Sequence, residues 1–176
     1  MRSIEEEQEH TEVVESYLSF KLDDEFFAVD VKKVFEILEV PAITSIPLAP
    51  DYMAGVINLR GKVLPLIDTK VKFGLDPIEF TVDTCIVVIE IEVEGETLQM
   101  GTLVDSVLEV LDVPNSNIQP SPSIEAKYRL DFILGMIRRD DDFIMLLNLD
   151  EVFSIQDVMY MQEANENLSS GELTEK

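Results

Sequence analysis

The sequence predicts a mostly-β protein made of two similar halves, and three observations carry that reading. Residues 55 to 74, GVINLRGKVLPLIDTKVKFG, hold an apolar run at Val56 and Ile57, a break at Gly61, and a second run through Val63, Leu64, Leu66 and Ile67. That is the pattern of strand, turn and strand. Residues 135 to 154, GMIRRDDDFIMLLNLDEVFS, repeat it without a gap: Gly55 matches Gly135, Ile57 Ile137, Leu64 Ile144, Leu66 Leu146, Ile67 Leu147 and Phe73 Phe153. A second block agrees in the same order: Val31, Val34, Glu36, Ile37, Leu38, Val40 and Pro41 match Val104, Val107, Glu109, Val110, Leu111, Val113 and Pro114 at a constant offset. Two ordered blocks recurring in order indicate an internal duplication into halves of about seventy to eighty residues, not a solenoid of many units. Short strands with closely spaced turn signals favour small barrels, which remove the exposed edges that open sheets must protect.

The elements follow in order. Tyr17 to Leu22 alternates, Asp23, Asp24 and Glu25 turn the chain, and Phe26 to Val31 returns, giving a hairpin with one apolar face. Val31, Val34, Ile37 and Leu38 recur at three and four residues behind Asp30 as N-cap, so a short helix is expected there, limited by Pro41. Pro41 to Pro50 contains three prolines and reads as an extended surface connection, with a helical turn at Asp51 to Ala54. In the hairpin that follows, Asn58, Leu59, Arg60 and Gly61 form a display turn; Gly61 supplies positive φ, and Pro65, lacking an N–H, favours a sheet edge. Asp68 to Phe73 supports one or two helical turns stopped by Gly74. Gly74 to Asp83 holds Pro77 and weak apolar order and is the expected joint between halves.

The second half repeats the plan, with strands at Thr84 to Val93 and Thr97 to Val104 and a short helix or strand end through Leu111. Val113 to Glu125, with three prolines, is a longer loop than its counterpart. Phe132 to Arg139 and Phe143 to Asn148 close the second hairpin, and Leu149 to Phe153 begins a final helix that Val158 to Met161 would finish.

Composition excludes several function classes. The net charge is −23, from 36 acidic and 13 basic residues. Phosphate binding needs clustered Lys and Arg, and no extended cluster is present, so nucleic acid is not an expected partner. Residues 1 to 15 hold six acids and residues 160 to 176 four, and both read as solvated tails. No apolar run approaches the roughly twenty residues that span a bilayer, and the N-terminus lacks signal-peptide features, which points to the cytoplasm without direct membrane insertion. Cys85, the single cysteine, lies in TCIVVIEIEV and reads as a buried strand thiol.

No catalytic constellation is legible. The sole histidine, His10, sits in the acidic tail, which leaves none for a triad or a two-histidine metal site. Gly55 and Gly61 lack the Lys-Ser or Lys-Thr of a phosphate loop. Asp140, Asp141 and Asp142 read as a solvated turn, without the alternating ligands and terminal Glu of a calcium loop. No cofactor, metal or catalytic residue is therefore expected. Glu36 on the expected helix and Arg60 at the hairpin tip either pair across the first half or stay separately solvated. The second half keeps Glu109 but has Asp140 opposite Arg60 in the gap-free alignment, so such a pair would set the halves apart, and Arg139 is expected to contribute little.

YLSFKL, FFAVDVKKVFEI, IPLAPDYMAGVINLRGKVLPLIDTKVKFG, VVIEI, VDSVLEVLDV, NIQPSP and the closing hairpin resemble the CheW-type coupling proteins of bacterial chemotaxis, from about Tyr17 to Phe153. APDYMAGVINLRGKVLPLIDTKVKF is the most specific part. The resemblance implies a mostly-β fold of two five-stranded barrel-like subdomains with short helices, related by a pseudo-two-fold. It implies a non-enzymatic adaptor joining the cytoplasmic tips of methyl-accepting chemoreceptors to the regulatory domain of the histidine kinase CheA, in receptor arrays at the inner face of the membrane. Alternatives are a regulatory-domain-like module of a CheA-type kinase and a paralogous adaptor of a separate array. The acidic tails and the Asp140 to Asp142 turn depart from the family pattern, and the chain lacks a receiver domain and a kinase ATP site.

The expected organisation is an acidic N-terminal tail at 1–15, a folded domain at 16–154, and a helix start with an acidic tail at 155–176. Within the domain the halves lie at about 16–76 and 84–154, with segments free to exchange between subdomains. One core would draw on Leu18, Phe20, Val29, Ile57, Leu64 and Leu66, the other on Ile86, Val88, Leu103, Ile137, Ile144 and Leu146. A receptor helix would need exposed apolar side chains in a groove between the barrels. Val31, Val34, Ile37 and Val107 are the candidates, each of which is otherwise ordinary core.

Overall fold

The computed structural model describes residues 12–93, 95–120, 132–153, Asp157 and Glu163. His10 and the expected helix end at Val158 to Met161 lie outside the described residues. Strand β1 (Val14–Leu22) and β2 (Glu25–Asp30) form the first hairpin, turned at Asp23 with φ 55°. A 3-10 turn, Val31–Lys33, leads into β3 (Val34–Glu39); then come β4 (Met53–Leu59), β5 (Lys62–Asp68) and helix α1 (Thr69–Lys72). The chain continues through β6 (Cys85–Val93), β7 (Glu96–Val104) and β8 (Ser106–Pro114). A 3-10 turn at Asn115–Asn117, β9 (Ile118–Gln119), β10 (Ile133–Arg139), β11 (Asp142–Leu147) and α2 (Leu149–Val152) complete it.

The strands form two sheets. Sheet A has the order β8-β1-β2-β11-β10-β9 and sheet B the order β3-β6-β7-β5-β4. In each, an antiparallel hairpin (β1·β2 or β6·β7) is flanked by an antiparallel strand on one side (β8 or β3) and a parallel one on the other (β11 or β5). The outer hairpin follows (β10·β11 or β4·β5), and a short segment bonds to its far strand: β9 on β10, and the Thr44↔Val56 bridge on β4. Five long strands per subdomain and a pseudo-two-fold relation result, as the fold class read from the sequence requires.

The repeats are not the subdomains. Sheet A takes β1 and β2 from the first repeat and the rest from the second, and sheet B the reverse. The chain passes between sheets at Val31–Lys33 and again at Asp105, so Gly74 to Asp83, the expected joint, connects α1 to β6 within sheet B. Its Ile78 is buried, and its N–H donates to Asp68 Oδ2 at 3.0 Å. All twelve core residues named from the sequence are buried, but the partition is corrected. Ile57, Leu64 and Leu66 pack with Ile86, Val88 and Leu103 inside sheet B; Ile137, Ile144 and Leu146 fill sheet A with Tyr17, Ala28 and Val113. Leu18, Phe20 and Val29 belong to a third, joint core shared by both sheets with Ile67, Val87, Ile89 and Leu147.

Strand pleating explains this division. Successive side chains point to opposite faces, so Leu66 enters barrel B while Ile67 enters the joint core, and Leu146 and Leu147 do the same on the other side. Both faces of β6 are therefore buried, which is why CIVVIEIEV is almost continuously apolar. The joint core leaves a cavity of about 20 Å³, so the interior of the seam is filled. Lys70 on α1 clamps the sheets: its Nζ lies 2.5 Å from Asp23 Oδ1 on the β1–β2 turn, and Asp23 N donates to Asp105 Oδ2 at 2.6 Å. The hydrogen bond to Asp23 raises the Lys70 pKa above the usual lysine value, against the opposing effect of burial. Lys72 reaches Asp157 Oδ2 at 2.5 Å and lies 4.4 Å from the Tyr52 ring centre; the Tyr52 hydroxyl also donates to Asp157.

Local expectations met several corrections. The helix expected from Val31 is one 3-10 turn, with Asp30 accepting from Lys32 N as N-cap, and then strand β3. Glu36 occupies an inward position of that strand and disguised its alternation, and pairing with β6 overrides the weak helical period. Asp51 and Tyr52 form a turn, with Met53 and Ala54 already in β4. Val14 and Glu15 belong to β1 and not to a tail, and residues 106–114 are strand throughout. Strand β5 is interior to its sheet, but its registered pairing with β7 begins at Leu66, just past Pro65. Cys85, at the start of β6, is half-buried, with its thiol 3.3 Å from the Asp83 carbonyl.

Candidate partner-docking surface

The β4–β5 turn is a two-residue loop with Arg60 at φ 53° and Gly61 at φ 85°. Two positive φ values mark the I′ turn whose twist matches that of the flanking strands. Asn58 Oδ1 accepts from Gly61 N at 2.8 Å and fixes the bend, while Leu59 closes the strand and packs on the barrel B core. From this tip the Arg60 guanidinium donates to Glu36 Oε1 at 2.7 Å and to Oε2 at 2.8 Å, a two-bond fork. Arg60 holds the Glu36 carboxyl below its usual range, and Glu36 raises Arg60 in return. Strands β3 and β4 are the two edges of sheet B, so the pair clasps the curled sheet across its opening.

The second barrel has a clasp of its own. Arg139 Nη2 pairs with Glu109 Oε2, joining edge strand β8 to β10. This corrects the expectation that the pair distinguishes the halves. A gap-free alignment sets Asp140 opposite Arg60 and hides the second cation one position earlier on the strand. The glycine match has a shared cause: a Cβ on Gly55 would lie 2.3 Å from Thr44 O, and one on Gly135 would lie 2.7 Å from Gln119 O. In each barrel a connecting segment crosses directly over that glycine.

The four apolar candidates do not form one stripe. Alternating burial along β3 sets Val34 against the joint core and leaves Phe35 and Ile37 exposed, at 51% and 44%. Val31, Val34 and Val107 are half-buried and border the joint core. Phe35 was missed because a helical reading pointed it elsewhere; alternation around Glu36 was the available signal. Leu108 and Val110, at 41% and 57% exposed, occupy on β8 the places of Phe35 and Ile37. Both barrels thus present two apolar side chains on an edge strand beside a glutamate–arginine clasp. Among the described residues no group of carboxylates, cysteines and histidines is arranged to hold a metal, and no helix is long and apolar enough to cross a membrane.

A family model described as a CheW-like domain matches residues 16–157. The Chemotaxis protein CheW of Rhizobium meliloti (strain 1021) is 36% identical over 136 residues, covering 77% of this chain and 85% of the relative. The protein of the same description from Klebsiella aerogenes is 28% identical over 146 residues, 83% and 86% of the two chains. Among solved structures, the scaffolding protein TtCheW from Thermoanaerobacter tengcongensis superposes with a TM-score of 0.71 at 30% identity, over 84% of this chain and 93% of that one. With a family model over residues 16–157 and both a relative and a solved structure matched over most of its length, the chain belongs to the CheW-like domain family of non-enzymatic chemotaxis scaffolds.

Proposed function

We propose that this chain is a cytoplasmic adaptor that couples the tips of methyl-accepting chemoreceptors to the regulatory domain of a CheA-type histidine kinase, within arrays at the inner face of the membrane. The supporting observation is the presence of two matched apolar edges, Phe35 with Ile37 and Leu108 with Val110, on opposite barrels joined by one filled core. A rigid body with two separate docking faces is what joining two proteins requires.

In this reading Val31, Val34 and Val107 contribute to receptor contact at the border of the seam, whose interior has no room for a helix, and Ile37 contributes from the exposed face of β3. Asn58, Leu59 and Gly61 hold the display turn, and Glu36 and Arg60 fix the partner face. Pull-down with the co-encoded kinase and receptors tests it. Val34→Asp is expected to abolish receptor capture while kinase capture and the melting temperature stay near wild type. Loss of both partners together would make Val34 a core residue, and unchanged receptor capture would place the site elsewhere. Arg60→Ala is expected to weaken coupling to at least one partner.

A further inference from the structure

Equivalent ends of the two barrels differ in charge and in the hollow beside the hairpin turn. On sheet A a hollow of about 530 Å³ opens beside the β10–β11 turn. Its floor is apolar, formed by Phe26, Val107, Leu108 and Ile144, and its rim carries Glu109, Asp140 and Asp142. The cation at the rim, Arg139, is engaged by Glu109. Among the described residues no ion pair involves Asp140 or Asp142. Beside the equivalent turn of sheet B a hollow of about 210 Å³ lies against β5 and β7, lined by Leu59, Lys62, Leu64 and Gln99 and by no residue of edge strand β3. Eighty positions separate the repeats here, so Arg60 and Lys62 stand where sheet A has Asp140 and Asp142.

We propose that the sheet A hollow is a docking site for a basic segment of a partner protein, with a bulky apolar side chain seated on Leu108 and Phe26 and flanking lysines or arginines facing Asp140 and Asp142. A concave apolar floor supplies the anchor pocket. The acidic rim selects the flanking charge and steers the approach. A net charge of −23 attracts any cation, so the local claim rests on the difference between the two ends. The hollow shares Val107 and Leu108 with the faces proposed above for receptor and kinase, and its test uses neither partner.

The probe is a fluorescein-labelled KKLFKK peptide followed by fluorescence anisotropy at physiological ionic strength, with KKSSKK and EELFEE as comparisons. KKLFKK is expected to bind saturably and the other two far more weakly. The double variant Asp140→Lys with Asp142→Lys is expected to weaken KKLFKK at least about tenfold. Leu108→Ser is expected to weaken it as well, with an unchanged melting temperature. Asp51→Lys with Asp76→Lys, the same charge change at exposed positions of the sheet B chain segments, is expected to leave binding within about twofold. Equal weakening by the two double variants reduces the effect to bulk charge and overturns the proposal, as does equal binding of KKSSKK. Absent peptide binding, with self-association in sedimentation that the Asp140 and Asp142 variant abolishes, would assign the hollow to a second copy's Arg60–Lys62 turn and overturn it too.

Discussion

Arg60 and Asp140 stand at the tips of equivalent hairpins with the same backbone φ of 53° and opposite charge. A similar inversion occurs at the two short helices. Lys70 on α1 pairs with Asp23, whereas Asp150, its counterpart on α2, pairs with Lys33. The first contact is 2.5 Å long with the lysine side chain only 8% exposed; the second is 3.7 Å long with both partners on the surface. The glutamate–arginine clasp keeps its sign in both barrels, but its cation moves from the turn tip at Arg60 to the strand end at Arg139. Duplication thus repeats backbone geometry and leaves charge at equivalent positions free to change, with ion pairs made to different partners.

The exchange of hairpins between repeats is the sharpest feature to break. Residues 1–80 and 81–176 expressed separately are expected to lack cooperative melting by circular dichroism, because each omits strands that complete its sheet, and to regain it on mixing. A cooperatively folded 1–80 fragment would restore a contiguous half. Next come the barrel interiors: Leu66→Ala and Leu146→Ala are each expected to cost about 2 to 5 kcal/mol in urea denaturation. A near-neutral result in one would show that its barrel is loosely packed. At the crossed glycines, Gly55→Ala is expected to cost about 1 to 3 kcal/mol and more than Gly135→Ala, since Gly55 combines a φ of 145° with the closer carbonyl.

The helix clamps should separate by burial. Lys70→Ala is expected to cost about 1 to 3 kcal/mol, and Asp150→Ala less than about 1. Because the folded Lys70 pKa is raised, its contribution is fully present below the ordinary lysine pKa and is lost only as pH climbs through the raised value. A wild-type advantage over Lys70→Ala that disappears at neutral pH would contradict the clamp. The smallest effect belongs to Glu36. Its folded pKa is lowered, so its contribution is present above the ordinary carboxylate range and fades as pH falls through the lowered folded value. Glu36→Gln is expected to remove that acid-side slope, and an unchanged slope would assign it to other carboxylates.

Much of the fold was legible because short-range rules governed it. Gly61, Gly74 and the apolar runs around them marked β4, β5 and α1 closely. The clasp was half legible: Glu36 and Arg60 drew notice as charges beside apolar runs, but Arg139 was passed over because linear alignment assumes that equivalent roles keep equivalent positions. Phe35, Leu108 and Val110 were missed for a related reason. An apolar side chain on a strand reads as core until the neighbouring strand is known, and β3 and β8 are edges.

The sequence alone determined which residues are apolar, where the chain turns and that it contains two copies of one plan, since side-chain chemistry and backbone sterics act within a few residues. Only tertiary structure decided which copy's hairpin completes which sheet, that Leu18, Phe20 and Val29 face a core shared by both barrels, and that Arg139 meets Glu109. Those outcomes depend on contacts between segments tens of residues apart. A strand buried on both faces has the same sequence pattern whichever sheet it joins.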